Sequence, residues 1–187
     1  MKRILLIISI LLIAVSASGM MLIGGKPVID AGCSIPESAD VSYEADFDTT
    51  NALQTDAEGQ TFDSGTGGNL AKICVSIWAS SAGTVDIRIG DGKNLTDGND
   101  LIEDLGTTES ITLGSCNWIC IESTANPTLS ASTSYVIGVS ENSGDIYWCA
   151  DGTNGYADGI MINGSSVWQL GNDNATVDNF FRVDYCD

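Results

Sequence analysis

Residues 72–78 read KICVSIW, and the reading of this stretch decides the fold. Ile73, Val75 and Ile77 fall on one side of an extended chain; Lys72, Cys74, Ser76 and Trp78 fall on the other. A period of two is the signature of a β-strand with one buried and one wet face. The pattern recurs outward from here. In TVDIRIG (84–90) Val85, Ile87 and Ile89 face away from Asp86 and Arg88. In SYVIGVS (134–140) Tyr135, Ile137 and Val139 alternate with Val136 and Gly138. In FFRVDYCD (180–187) Phe181, Val183 and Tyr185 oppose Arg182, Asp184 and Cys186. Gly, Asn, Asp, Ser and Thr punctuate these runs, and no amphipathic stretch is long enough for a substantial helix. Such strands bury their apolar faces when two antiparallel sheets pack face to face. The expectation is an all-β, two-sheet antiparallel β-sandwich over residues 43–187.

The N-terminus has a different character. MKRILLIISILLIAVSASG (1–19) runs from basic Lys2 and Arg3 through an apolar stretch to small residues, the order of a secretory signal peptide. MMLIGG prolongs the uncharged run to Gly25, so an uncleaved anchor helix to about residue 25 is the rival reading. Residues 20–42 read as an irregular arm. Either way the remainder is exported, to the extracellular space or the cell surface. Contact with a membrane is expected only through the N-terminal segment, if it stays.

Six cysteines, Cys33, Cys74, Cys116, Cys120, Cys149 and Cys186, all lie in the exported part. An even number in an exported chain points to disulfides. With no histidine and no Cys-x-x-Cys spacing, zinc fits poorly. In CNWICI (116–121) Cys116 and Cys120 share a face; four strand residues span roughly 13 Å, whereas disulfide Cα atoms sit within about 7 Å. The two therefore pair with each other only across a turn or bulge, and otherwise each reaches another strand or loop. Cys33 and Cys186 lie near opposite ends of the exported chain, where a terminal staple is plausible.

Net charge is −18; without Lys2 and Arg3, five basic residues face 25 acidic ones, giving −20. That surface repels nucleic acid and anionic headgroups. The absence of histidine removes the usual Ser-His and Cys-His nucleophile systems, and no motif singles out a carboxylate pair for glycoside cleavage. The expectation is a protein that is not an enzyme and requires no cofactor.

The ordered series GQTFDSGTGGNLAKICVSIW, GTVDIRIGDGKN, TLSASTSYVIGVS, YWCADGTNGYADG and NFFRVDY, over residues 43–185, resembles the jelly-roll, carbohydrate-binding-like β-sandwich modules of secreted and surface proteins, of the choice-of-anchor type. The resemblance implies a jelly-roll-like fold and a binding or adhesion role, with a glycan or another surface polymer as ligand.

Three sets of residues are candidate sites. In DIYWCADGTNGYADG (145–159), Trp148 and Tyr156, with Trp168 beyond them, could form a platform for sugar rings, while Asp151, Asn154 and Asp158 hydrogen-bond hydroxyls. The competing reading buries Trp148 with Ile146 and leaves Asp151–Gly152 and Asn154–Gly155 as tight turns. In GDGKNLTDGNDLIED (90–104), Asp91, Asp97 and Asp100 could hold a structural calcium, although the spacing is not that of an EF-hand. Asn94, Asn163 and Asn174 head N-glycosylation sequons. The alternative function is a structural subunit of an extracellular filament, coat or surface layer. Copies of the chain would then be its partners, joined through the N-terminal arm and the sheet edges.

Overall fold

The computed structural model describes residues 41–45, 49–53, 57–111, 114–153, 155–166 and 168–186. The N-terminal segment with its signal or anchor, almost all of the arm, Cys33 and Asn154 lie outside these residues. Among these described residues twelve strands follow in chain order. They are β1 (Val41–Tyr43), β2 (Thr49–Ala52), β3 (Glu58–Asp63), β4 (Gly68–Gly90), β5 (Leu101–Thr107) and β6 (Asn117–Glu122). Then come β7 (Thr128–Leu129), β8 (Ser134–Asp151), β9 (Met161–Ser166), β10 (Gln169–Asn174), β11 (Asp178–Asn179) and β12 (Phe181–Tyr185). The described residues contain no helix, and every strand pair is antiparallel. The first strand starts at Val41, inside the stretch read as an irregular arm.

Two long strands organise the sheet. β4, of 23 residues, and β8, of 18, pair with each other from Ile77↔Trp148 to Gly90↔Val136. Before that contact begins, the same edge of β4 carries β12, from Leu70 to Val75. Its opposite edge carries β7, β6 and β5 in turn. The far edge of β8 carries β3 and β2, and the order β1-β12-β4-β8-β3-β9-β10 forms the continuous path.

One hydrogen-bonded sheet thus supplies both layers of the sandwich by curling over itself. The proof of closure is contact between strands that do not pair. Phe62 of β3 meets Phe181 of β12 with ring centroids 5.6 Å apart, and the Tyr185 hydroxyl donates to the Ser64 carbonyl at 3.0 Å. The bend needs an irregular ladder. Register shifts fall between Ala79 and Val85, where Gly83 lies against Ser143 and Gly144 so closely that a Cβ on Gly83 would stand 1.9 Å from the Ser143 carbonyl oxygen.

The core lies between the layers. Ile73, Val75, Ile77, Val85, Ile87, Ile89, Ile137, Val139, Phe181 and Val183 are all fully buried, as alternation requires. Each such aliphatic side chain contributes about 1.5–3 kcal/mol. Around Val136 and Gly138 the opposite face of β8 is not wet, contrary to the simple pattern. Val136 joins Ala57, Leu95, Ile162, Trp168 and Leu170 in a second cluster, made by the 91–100 loop and the β9–β10 hairpin folding back over the sheet. Gly138 has no side chain because Leu95 occupies the space, with Leu95 Cδ1 2.3 Å from where a Cβ would be.

Two disulfides join described residues. Cys74–Cys120 links β4 to β6, with Cα atoms 4.0 Å apart, and Cys116–Cys149 links the residue before β6 to β8, with Cα atoms 6.1 Å apart. Cys116 and Cys120 do not pair with each other because Asn117–Glu122 is extended, so each reaches another strand. Disulfides of this kind persist in extracellular or otherwise oxidising surroundings. Among the described residues no helix is long and apolar enough to cross a membrane.

Candidate functional site

The 145–159 stretch divides by parity. Ile146 and Trp148 point inward, both with no exposed surface, and the Trp148 indole N–H donates to the Phe180 carbonyl at 2.9 Å. Trp148 therefore has no ring face to offer a ligand, and the platform reading fails at this residue. Asp151 is also buried. Its Oδ1 accepts the Thr153 N–H at 2.8 Å and the Thr153 hydroxyl at 2.6 Å, and its Oδ2 accepts the Tyr43 hydroxyl at 2.5 Å. The Thr153 and Tyr43 hydroxyls hold the Asp151 carboxyl below the usual carboxylate range. Burial, and then Asp151, push the Tyr43 phenol well above its usual value.

Directly across from Asp151 on β11 stands Asp178, fully buried, accepting the Tyr156 N–H at 2.9 Å and the Gln60 side-chain amide at 3.4 Å. Burial raises its pKa, against the pull of those two donors. Tyr156 packs on Tyr43 and edge-on against Phe181, each at 5.3 Å, and burial pushes its phenol up to about 12. Asp151 and Tyr156 thus belong to a network that pins the turn. Trp168 is 7% exposed, lies under the Arg88 guanidinium at 4.2 Å and adopts φ 62°, so it too is structural. Of the candidates in this group that the structure describes, Asp158 alone is exposed.

In the 90–104 loop Asp91 and Asp97 are exposed, while Asp100 Oδ2 accepts the Asn94 N–H at 2.9 Å and shapes the loop. Among the described residues no three acidic or cysteine side chains converge as a metal-binding group. Asn94 and Asn174 each accept, on Oδ1, the hydroxyl of their own sequon threonine, Thr96 at 2.7 Å and Thr176 at 2.8 Å. Asn163 is exposed on β9.

The more open aromatic site lies on the outside of the sheet. Trp78 on β4 and Tyr147 on β8 are directly paired across the ladder, half-exposed, with ring centroids 4.7 Å apart. Both follow from parity: Trp78 alternates with buried Ile77 and Ala79, and Tyr147 sits between buried Ile146 and Trp148. Beside them runs a groove of about 610 Å³ lined by Thr50, Trp78, Gly114, Ser115 and Cys116, so the Cys116–Cys149 disulfide ties its floor to β8. Polar groups stand at the rim. The Asp145 carboxylate takes the Ser80 hydroxyl and the Tyr147 hydroxyl, and this contact raises the Tyr147 pKa. A third aromatic, Trp118 on β6, is paired with Ser76 and stacks under Arg182 at 4.0 Å. Trp118 is thus diagonal to Trp78 across the β4–β6 ladder.

Neither Trp78 nor Tyr147 was among the candidate residues. The signal was in the alternation itself, which sets Trp78 with Lys72, Cys74 and Ser76 on the wet face. A large aromatic there has no core to fill. No protein-family model, curated protein or solved structure matches this chain.

Proposed function

We propose that this is an exported, non-catalytic binding or adhesion module that holds a neutral glycan, or a surface polymer of similar chemistry, on the Trp78–Tyr147 pair. The observation that carries the reading is a tilted aromatic pair left half-exposed on the outer face of the sheet, beside an apolar groove. Aromatic faces pack against the apolar C–H face of a sugar ring, and a few placed polar groups then fix its orientation. Asp145, Ser80, Thr50 and Ser115 supply them. The net charge of −18 selects against polyanions and leaves neutral or amino-bearing sugars. Disulfide stabilisation and the resemblance to carbohydrate-binding-like jelly-roll modules favour the same reading, with secretion as its setting.

The test is a glycan array probed with the folded protein and with Trp78→Ala and Tyr147→Ala. Each substitution is expected to weaken a bound glycan at least about tenfold, the loss of about 1.4 kcal/mol of stacking. Binding that survives both, or no binding to any glycan, would sink the proposal.

A further inference from the structure

Among the described residues, strand β6 is hydrogen-bonded on one side only, to β4. The Ser123 N–H donates to the Ala71 carbonyl at 2.7 Å, which sets the phase of the ladder. In an antiparallel pair, backbone groups of every second residue point the same way. The N–H and C=O of Asn117, Ile119 and Ile121 therefore meet β4, and those of Trp118, Cys120 and Glu122 point away from it. No described residue pairs with that outer row. Exposed edges are ordinarily blunted by lysine, proline or a bulge; the sequence Asn117–Glu122 has none of these. The Cys74–Cys120 bond pins the strand in register instead.

A groove of about 590 Å³ runs alongside, between residues 118–122 and the segment 107–110. Its apolar lining includes Ile119 and Ile121, half-buried against the core. Its charged lining is Glu109 and Glu122, both exposed. Arg182 stands over Trp118 at one end and is already engaged by Glu44 at 2.6 Å.

We propose that the outer edge of β6 takes up an extended segment of a partner polypeptide as an added strand, with basic side chains of that segment on the Glu122 face and apolar ones over Ile119 and Ile121. Main-chain hydrogen bonds from Trp118, Cys120 and Glu122 supply the affinity, and alternate side-chain contacts supply the selectivity. The acidic lining and the chain's net charge of −18 call for a cationic occupant and oppose a second copy of the same acidic surface.

The experiment is amide hydrogen exchange on the full, oxidised protein with a synthetic peptide alternating lysine and valine. At about ten times the Kd, the peptide should slow exchange of the Trp118, Cys120 and Glu122 amides about tenfold. A peptide alternating glutamate and valine should not. Glu122→Pro removes an outward N–H, which an edge position tolerates, and should abolish the protection with both disulfides intact. Three results overturn the proposal: no protection at millimolar peptide, equal protection by the acidic peptide, or protection without peptide. If protection without peptide rises with protein concentration, the occupant is a second copy. The wild-type measurement decides the matter even if the proline variant fails to fold.

Discussion

Trp78 faces Tyr147 across the β4–β8 ladder at 4.7 Å, while Trp148, the residue after Tyr147, is sealed in the core. Two adjacent aromatics thus have opposite roles, and substitution separates them. Trp148→Ala empties a fully buried site and is expected to cost about 3–5 kcal/mol in urea unfolding. Trp78→Ala and Tyr147→Ala lose a cross-strand pair and should each cost about 1 kcal/mol. Comparable losses at all three positions would mean that the outer pair is a packing element.

Gly83→Ala is expected to destabilise by at least about 1–3 kcal/mol, read as a drop in Tm. The new Cβ would meet backbone at Ser143 and Gly144, and backbone at a packed ladder does not step aside as a flexible side chain would. An unchanged Tm would show that the elbow between the layers yields.

Asp151 and Asp178 oppose each other on paired strands, and their pKa values move in opposite directions. Asp178 holds its proton more tightly in the folded state. Its contribution to stability is present below the unfolded pKa and is lost as pH rises through the raised folded value. Asp151 behaves in reverse: its contribution is present above the unfolded pKa and is lost as pH falls through the lowered one. As pH rises above the ordinary carboxylate value of about 3.9, Asp178→Asn should gain on the wild type, and as pH falls below it, Asp151→Asn should gain. Parallel stability curves for wild type and variants would refute both assignments.

Removing either disulfide should cost about 4 kcal/mol, because the closed loops, of sequence separation 46 and 33, differ little on a logarithmic scale. Paired serine variants, Cys74 with Cys120 and Cys116 with Cys149, measured by guanidinium unfolding, check this. A much larger loss for one pair would show that its bond sustains native geometry beyond loop closure.

The fold was legible wherever a stripe of period two met a single layer of core. Ile73, Val75 and Ile77, or Phe181, Val183 and Tyr185, needed no partner to be placed. What was not legible came from sequence-distant contact. KICVSIW and TVDIRIG read as separate runs, yet they are one strand, because the bulged partner around Ser143 and Gly144 keeps the Ser- and Gly-rich link extended. Val136 lost its wet face to Leu95, Trp168 and Leu170, which arrive from two other segments. The aromatic site was a question of parity: starting from Ile146, Trp148 is inward and Tyr147 outward. The turn chemistry of Asp151 marks the loop in the sequence, but Tyr43 and Thr153 already occupy the carboxylate.

The two disulfides overlap along the chain, one closing 74 to 120 and the other 116 to 149. A tensile load applied at the two ends of the β domain therefore never travels the whole polypeptide. It enters at Cys74, crosses to Cys120, passes back along the short run to Cys116 and crosses to Cys149. Strand β6 lies on this covalent strut, and the intervening hairpins, with the Trp78–Tyr147 face, hang from it. While β4, β6 and β8 are tugged, the strut cannot lengthen. For a module that grips a surface, this arrangement would let the gripping face stay folded while the ends of the domain are stretched.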